Sequence, residues 1–301
     1  MLNAKMPQDS CSHQDGPLIS SVEKATTASA SDGPHAPRTL PEICLTLRRK
    51  VIAFLEEKTD DEVLRNTQGQ ARVSMGVIEE ALRRYRPDEL SLSYNGGKDC
   101  LVLLVLMLAC LAAPTSTSTS GPDAADAADA VNLPEPAPKP QPPRPLQAIY
   151  IAPPDPFPEV EDFVATSTIQ YHLDLTRYAL PMRPALEAYL GDRTAVKAIF
   201  MGTRRTDPHC ECLTHFSPTD ADWPQFMRVN PMIDWHYAEI WAFIRHLGIS
   251  YCSLYQQGFS SLGGMKNTRP NPVLALDADA KTFRPAYELM RDDQERLGRD
   301  R

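Results

Sequence analysis

The stretch from Leu90 to Cys100, LSLSYNGGKDC, limits what this chain can fold into more than any other. Its first residues alternate apolar and polar, as a short strand does. Two glycines, Lys98 and Asp99 follow, and LVLLVLMLACL then reads as an unbroken apolar helix. A strand running through a glycine turn into a helix is the unit of a parallel α/β sheet. It places the turn at the carboxyl edge, where such sheets bind ligands. The turn is not a Walker A loop. Leu92, where that motif needs its first glycine, belongs to the strand, and Asp99 stands where Ser or Thr should follow the lysine.

The same residues suit an anion. Glycines let backbone N–H groups converge, and the helix start adds partial positive charge. Lys98 adds a full charge and Asn95 an amide. The segment Ser93, Tyr94, Asn95, Gly96, Gly97, Lys98 and Asp99 is therefore expected to bind phosphate. The plain alternative is a tight turn with Lys98 solvated and Asp99 capping the helix.

Around this unit the pattern is consistent. EICLTLRRKVIAFLEEK is amphipathic through Ile43, Leu47, Val51 and Leu55, and a second helix is expected over about 69–85 through Val73, Val77, Ala81 and Leu82. LQAIYIAP, QYHLDLTRY and AVKAIFMG read as further strands, with helices in PFPEVEDFVATSTIQ and MRPALEAYLGD between them. The expected fold is a single α/β domain over 39–301, a mainly parallel twisted sheet flanked by helices with a C-terminal helical and loop-rich extension. In that extension PMIDWHYAEIWAFIRHLGI is a helix with Asp234 as its N-cap, and RPAYELMRDDQERLGR a final helix. Residues 1–38 have the composition of a disordered tail. The stretch 114–145, rich in Pro, Ala, Ser and Thr, reads as a low-complexity insertion, with an interdomain linker as the alternative.

Bulk properties exclude several classes. The net charge is −8, the wrong sign for a non-specific nucleic-acid binder. Seven cysteines, an odd number without a C-x-x-C pair, suit reduced thiols in the cytoplasm. The apolar run Leu101 to Ala113 is too short to span a bilayer, and the N-terminus lacks an apolar signal core.

The second chemical motif is MGTRRTDP, after the fourth strand. Arg204 and Arg205 suit bidentate phosphate contacts, and Asp207 could hold one of them. A solvated arginine pair is the alternative. DWPQFMR supplies Trp223 and Arg228, though Trp223 alone fits a core equally well.

SYNGGKDC, IYIAPPDPFPEVEDFV, MGTRRTDPHC, the segment from DWPQFMRVN to SSLG, and RPAYELMRDDQERLGR occur in order. Together they resemble the eukaryotic, fungal-type FAD synthases, the FMN adenylyltransferases of the adenine-nucleotide α-hydrolase-like (PAPS reductase-like) superfamily. The tail and the insertion lie outside the resemblance. It implies AMP transfer from ATP to FMN with loss of pyrophosphate, and FAD as product. Ser93 to Asp99 would hold the leaving phosphates. Mg²⁺ would bridge phosphate oxygens, with Asn95, Asp99 and Asp207 as nearest ligands. Arg204 and Arg205 would contact phosphate, and the backbone of Tyr150 and Ile151 would read adenine. Trp223, Arg228, Arg296 and Arg299 would line the flavin site. A monomer binding small molecules only is expected. The rivals are a 3′-phosphoadenylylsulfate reductase or another relative on the same scaffold, and a nucleotide-binding regulator without catalysis. The reductase needs a reactive C-terminal cysteine, whereas the last one here is Cys252.

Overall fold

The computed structural model describes residues 38–112, 144–277, 279 and 281–300. Apart from Arg38, Arg144 and Pro145, the expected tail and insertion lie outside the described residues.

Two helices come first, α1 (Leu40–Glu56) and α2 (Glu62–Arg84). Asp61 caps α2 by accepting the Leu64 N–H at 3.1 Å. This helix starts earlier than expected, and it turns Val73 outward, at 49% exposed. Ala71, Met75 and Ile78 point inward instead. The parallel unit follows: β1 (Leu90–Ser93), α3 (Lys98–Leu111), β2 (Leu146–Ile151), α4 (Pro158–Gln170), β3 (Leu173–Tyr178), α5 (Met182–Asp192) and β4 (Ala198–Phe200).

Two strands were not expected, β5 (Phe216–Pro218) and β6 (Met227–Val229). Each has three residues, too few to show a period. The sheet order is β3-β2-β1-β4-β6-β5, parallel except for the β5–β6 pair. The chain steps from β1 outward to β2 and β3 on one side, then crosses back from β3 to β4 on the other side of β1. The loops after β1 and β4 therefore part at the carboxyl edge and leave a crevice.

Helix α3 is apolar all round because it is covered all round. It packs on α1, α2 and the final α-helix, α6 (Tyr237–His246), and Leu101 to Cys110 are all buried. Truncating one of its leucines to alanine costs about 2–5 kcal/mol in such a setting. Strand β2 divides its side chains between two cores. Ala148 and Tyr150 join the larger one with α3 and α4, and Ile149 joins the smaller one with Tyr189 of α5.

Two expectations about the C-terminal part are corrected. The cap position of α6 is His236, not Asp234. Glu239 Oε2 accepts the His236 N–H at 2.7 Å, and Asp292 Oδ1 accepts the Tyr237 N–H at 2.7 Å. The final segment is no α-helix. It forms two 3₁₀ turns, at Ala286–Glu288 and Asp292–Gln294, joined by extended chain. Its apolar residues do not repeat on one face: Leu289 is buried, while Met290 and Leu297 are exposed. No helix among the described residues is long and apolar enough to cross a membrane.

Candidate active site

The phosphate-type turn sits at the crevice. Tyr94 N–H still bonds Ile149 O at 2.9 Å, and the chain then leaves the sheet. Gly96 takes φ +71°, a left-handed conformation that suits glycine. A Cβ there would stand 2.9 Å from the Val164 side chain. Asn95 Oδ1 accepts the Gly97 N–H at 2.9 Å, which fixes the turn from within. Gly202, after β4, packs flat against the start of α3, and a Cβ there would lie 2.8 Å from Cys100 N. Gly96 is thus pressed against α4 and Gly202 against the start of α3, and neither position leaves room for a side chain.

Behind the turn lies a buried ring of alternating charge. Lys98 Nζ bonds Asp99 Oδ2 at 2.9 Å and also Glu295 Oε1. Arg204 bonds Glu295 Oε2 through Nη2, and its Nε stands 2.9 Å from Asp99 Oδ1. That last pair is off-line, so it is an ion pair without a hydrogen bond. Asp292 Oδ1 joins at 3.2 Å from Arg204 Nη1. Lys98 and Arg204 are only 2% and 1% exposed. Burial works against the Asp99 carboxylate, but the charges of Arg204 and Lys98 outweigh it and hold the group below its usual range. Burial likewise opposes the Lys98 ammonium, and Asp99 and Glu295 raise it above the ordinary lysine value.

This geometry corrects several sequence-based expectations. Lys98 does not reach into the turn. Its ammonium faces two carboxylates and the Tyr237 ring, 5.0 Å away. The arginine pair splits. Arg204 is committed to carboxylates, while Arg205 bonds Asp234 Oδ1 at 2.8 Å and the carbonyls of Glu211 and Leu213. Both guanidiniums are engaged by groups of the protein itself. Tyr94 turns its ring into the core, where its hydroxyl donates to Ser167 Oγ at 2.8 Å. Asp207 does hold its neighbour, but through the Arg204 backbone N–H at 2.9 Å, and its other oxygen lies 3.6 Å from Arg296.

Beside the turn a cavity of about 520 Å³ opens, lined by Asn95, Tyr150, Ile151, Pro153, Met182, Leu262 and Gly263. The Ala152 N–H bonds Tyr178 O, toward β3. By strand alternation the Ile151 peptide groups face the other way, beyond the end of β1. The far wall is tied down by residues whose role the sequence concealed. Asp155 accepts the Lys266 N–H at 2.6 Å, and Arg299 donates to Leu262 O at 2.6 Å. Burial and the nearby Arg296 charge depress the Arg299 guanidinium. Arg296 is 45% exposed. Ser93 is half-buried at the end of β1. Trp223 is half-buried in the turn after Asp220, and Arg228 donates to Pro218 O at 2.7 Å. Glu295 and Asp292 were not among the expected site residues, nor was Tyr255, whose hydroxyl accepts the Lys98 N–H at 2.9 Å. Only Glu295 had a signal, since it precedes the arginines of ERLGR.

A glycine turn opening a helix at the switch point of a parallel sheet is the arrangement that nucleotide-binding α/β folds share. The family described as "Phosphoadenosine phosphosulfate reductase domain" matches residues 177–270. The relatives narrow the class. The chain is 37% identical over 239 residues to a probable FAD synthase of Schizosaccharomyces pombe, covering 79% of this chain and 82% of that protein. It is 30% identical over 247 residues to the flavin adenine dinucleotide synthase of Saccharomyces cerevisiae, covering 79% and 78%. The crystal structure of Candida glabrata FMN adenylyltransferase in complex with FAD and inorganic pyrophosphate superposes with a TM-score of 0.77 at 28% identity, over 89% of this chain and 99% of that one. The chain belongs to the FAD synthase family.

Proposed function

We propose that the crevice between the loops after β1 and β4 is where this chain performs its reaction, the transfer of AMP from ATP to FMN to give FAD and pyrophosphate. A phosphate oxygen of FMN attacks the α-phosphorus, the α–β bridging bond breaks, and pyrophosphate leaves. Such a transfer asks the protein for in-line positioning and charge stabilisation more than for covalent help. The observation that carries this placement is the Gly96 turn at the start of α3, adjoining a cavity that fits a nucleoside. Backbone N–H groups of the turn hold the leaving phosphates, and the Ile151 edge reads the adenine. Arg296, with Trp223 and Arg228, takes the flavin side.

Magnesium enters this reading as part of the substrate, MgATP. The described residues contain no group of three or more His, Cys, Asp or Glu able to hold a metal. Asn95 Oδ1 accepts the Gly97 N–H, Asp99 is ion-paired with Lys98 and Arg204, and Asp207 accepts the Arg204 N–H beside Arg296, so each of the three expected ligands is engaged within the protein. The ion's part is to neutralise the triphosphate. In this reading the protein is a cytoplasmic monomer acting on small molecules; the six described cysteines, all unpaired, suit a reducing compartment.

The test is to mix purified protein with ATP, FMN and Mg²⁺ and to follow FAD by chromatography and pyrophosphate by a coupled assay. Stoichiometric appearance of both is expected. FAD without pyrophosphate, or neither product, would overturn the proposal.

A further inference from the structure

The charge ring behind the turn holds more carboxylates than cations. Its cations are Lys98 and Arg204, and its carboxylates are Asp99, Asp292 and Glu295. Counting lysine, arginine and carboxylates alone, two positive charges against three negative ones leave it at −1; His236 Nδ1 also bonds Asp292 Oδ2, at 2.6 Å. Arg296 and Asp207, the adjacent pair, cancel each other. A phosphate-binding turn would ordinarily be backed by surplus positive charge. Here the one lysine of the turn is saturated by two carboxylates and almost wholly removed from solvent.

Glu295 is the member that makes this so. It is 5% exposed, and each of its two oxygens takes one of the two cations. Its position is fixed by its own backbone, whose carbonyl accepts the Ser260 hydroxyl at 2.6 Å and the Asn271 amide at 3.5 Å. Asn271 is itself fully buried and donates to Ser260 Oγ at 2.7 Å and to Gln294 O at 2.7 Å. Two side chains outside the ring, Ser260 and Asn271, thus hold one carboxylate against two cations that a phosphate would otherwise attract.

We propose that Glu295 is a positioning residue that acts through Lys98 and Arg204 to weaken the hold of the turn on pyrophosphate, so that the product leaves. The proposal rests on the AMP-transfer reading for its meaning, but it concerns an electrostatic property of the turn that can be measured alone. Uniform binding of substrate and product phosphates would not accelerate the reaction, and tight binding of pyrophosphate would stall it. The ring lets backbone N–H groups supply the orientation while the fixed charges add no net attraction. The counterion for the triphosphate then arrives with ATP and departs with pyrophosphate.

The experiment is calorimetric titration of the full chain with inorganic pyrophosphate in excess Mg²⁺ at fixed ionic strength. Glu295→Gln keeps the shape and adds one positive unit to the ring. One unit charge at roughly 10 Å in an effective dielectric near 20 shifts binding on the order of tenfold. The expected result is a Kd for pyrophosphate lower by about that factor, and in turnover a matching fall in the pyrophosphate inhibition constant. A residue that merely supports the fold would change the melting temperature and leave this Kd alone. A folded Glu295→Gln protein with an unchanged or weaker Kd overturns the proposal. The double variant Lys98→Met with Glu295→Met removes one charge of each sign and replaces the pair by apolar side chains, an exchange that buried pairs tolerate. It decides the matter where the single variant does not fold. Its Kd is expected within about twofold of wild type. Weakening by about fivefold or more would mean that Lys98 itself holds the pyrophosphate, and the proposal fails. Wild-type protein that binds pyrophosphate yet forms no FAD would sink the activity rather than the electrostatics, so the two failures read differently.

Discussion

Asp292 accepts the backbone N–H of Tyr237 at 2.7 Å, so the first turn of α6 is closed by a side chain from 55 residues further along the chain. The same carboxylate takes His236 Nδ1 at 2.6 Å and Arg204 Nη1 at 3.2 Å. Helix α6, the loop after β4 and the C-terminal segment therefore share one residue. Asp292→Ala is expected to lower stability by about 1–3 kcal/mol, the sum of a lost cap and a weakened ion pair. Urea denaturation measures this, and an unshifted midpoint would show that water replaces the cap without loss.

The two adjacent arginines are expected to behave as opposites. Arg204→Ala leaves three carboxylates around a buried vacancy, a loss of about 3–5 kcal/mol, a large part of the stability of an ordinary domain. Arg205 is 42% exposed and makes a solvent-screened pair with Asp234 besides bonds to its own loop, so Arg205→Ala is expected to change stability by about 1 kcal/mol or less. Comparing soluble yield and thermal midpoint of the two variants checks this. Equal damage from both would contradict the split.

The C-terminal arginines are expected to separate the substrates. Arg299 donates to Leu262 O on the cavity wall, so Arg299→Ala should raise the KM for ATP on the order of tenfold, as loss of a charge-assisted hydrogen bond does. Arg296 is exposed beside Asp207, so Arg296→Ala should raise the KM for FMN by a similar factor. Initial rates with each substrate varied in turn provide the measurement. FMN dependence altered by Arg299→Ala, with ATP dependence intact, would return that residue to the flavin side.

Gly96→Ala tests the turn. Its φ of +71° costs a non-glycine residue about 1–2 kcal/mol, and the added methyl meets Val164 at 2.9 Å. The protein is expected to stay folded and to lose turnover on the order of tenfold or more, since the N–H groups shift from the anion. Circular dichroism and a rate assay together would expose the opposite case, a folded variant of normal rate.

Cys100 lies in the first turn of α3, and burial pushes its thiol up to about 12. It should therefore resist iodoacetamide at pH 8 in the native protein, whereas the exposed Cys212 reacts. Peptide mass spectrometry after a timed pulse reads both at once. Early labelling of Cys100 would mean that the start of α3 opens far more readily than its packing implies.

Much of the scaffold could be read in advance because its signals are local. The glycine turn, the four parallel strands and the apolar faces of α3 and α6 are each set by neighbours a few residues apart. What could not be read depends on distance along the chain. Lys98 and Glu295 are 197 residues apart, and nothing near GGKD shows that its lysine is already occupied. The arginines of RRTD look alike in sequence. Only the fold sets them apart, with Arg204 among buried carboxylates and Arg205 on the exposed Asp234. The strands β5 and β6 are three residues each and exist because they pair with one another and with β4. The end of the chain misled for a related reason. Its polar doublets resemble an exposed helix face, but their side chains are used by other elements.

The separation between Lys98 and Glu295 also sets a schedule. At roughly 5–20 residues added per second, Lys98 leaves the ribosome on the order of 10–40 s before its second carboxylate has been made. Through that interval the growing chain carries two cations destined for burial and only part of the negative charge that will neutralise them. The turn therefore has to stay hydrated and open while the strands around it assemble. Its charge ring closes only after Glu295 has been made, well after the sheet that carries the turn.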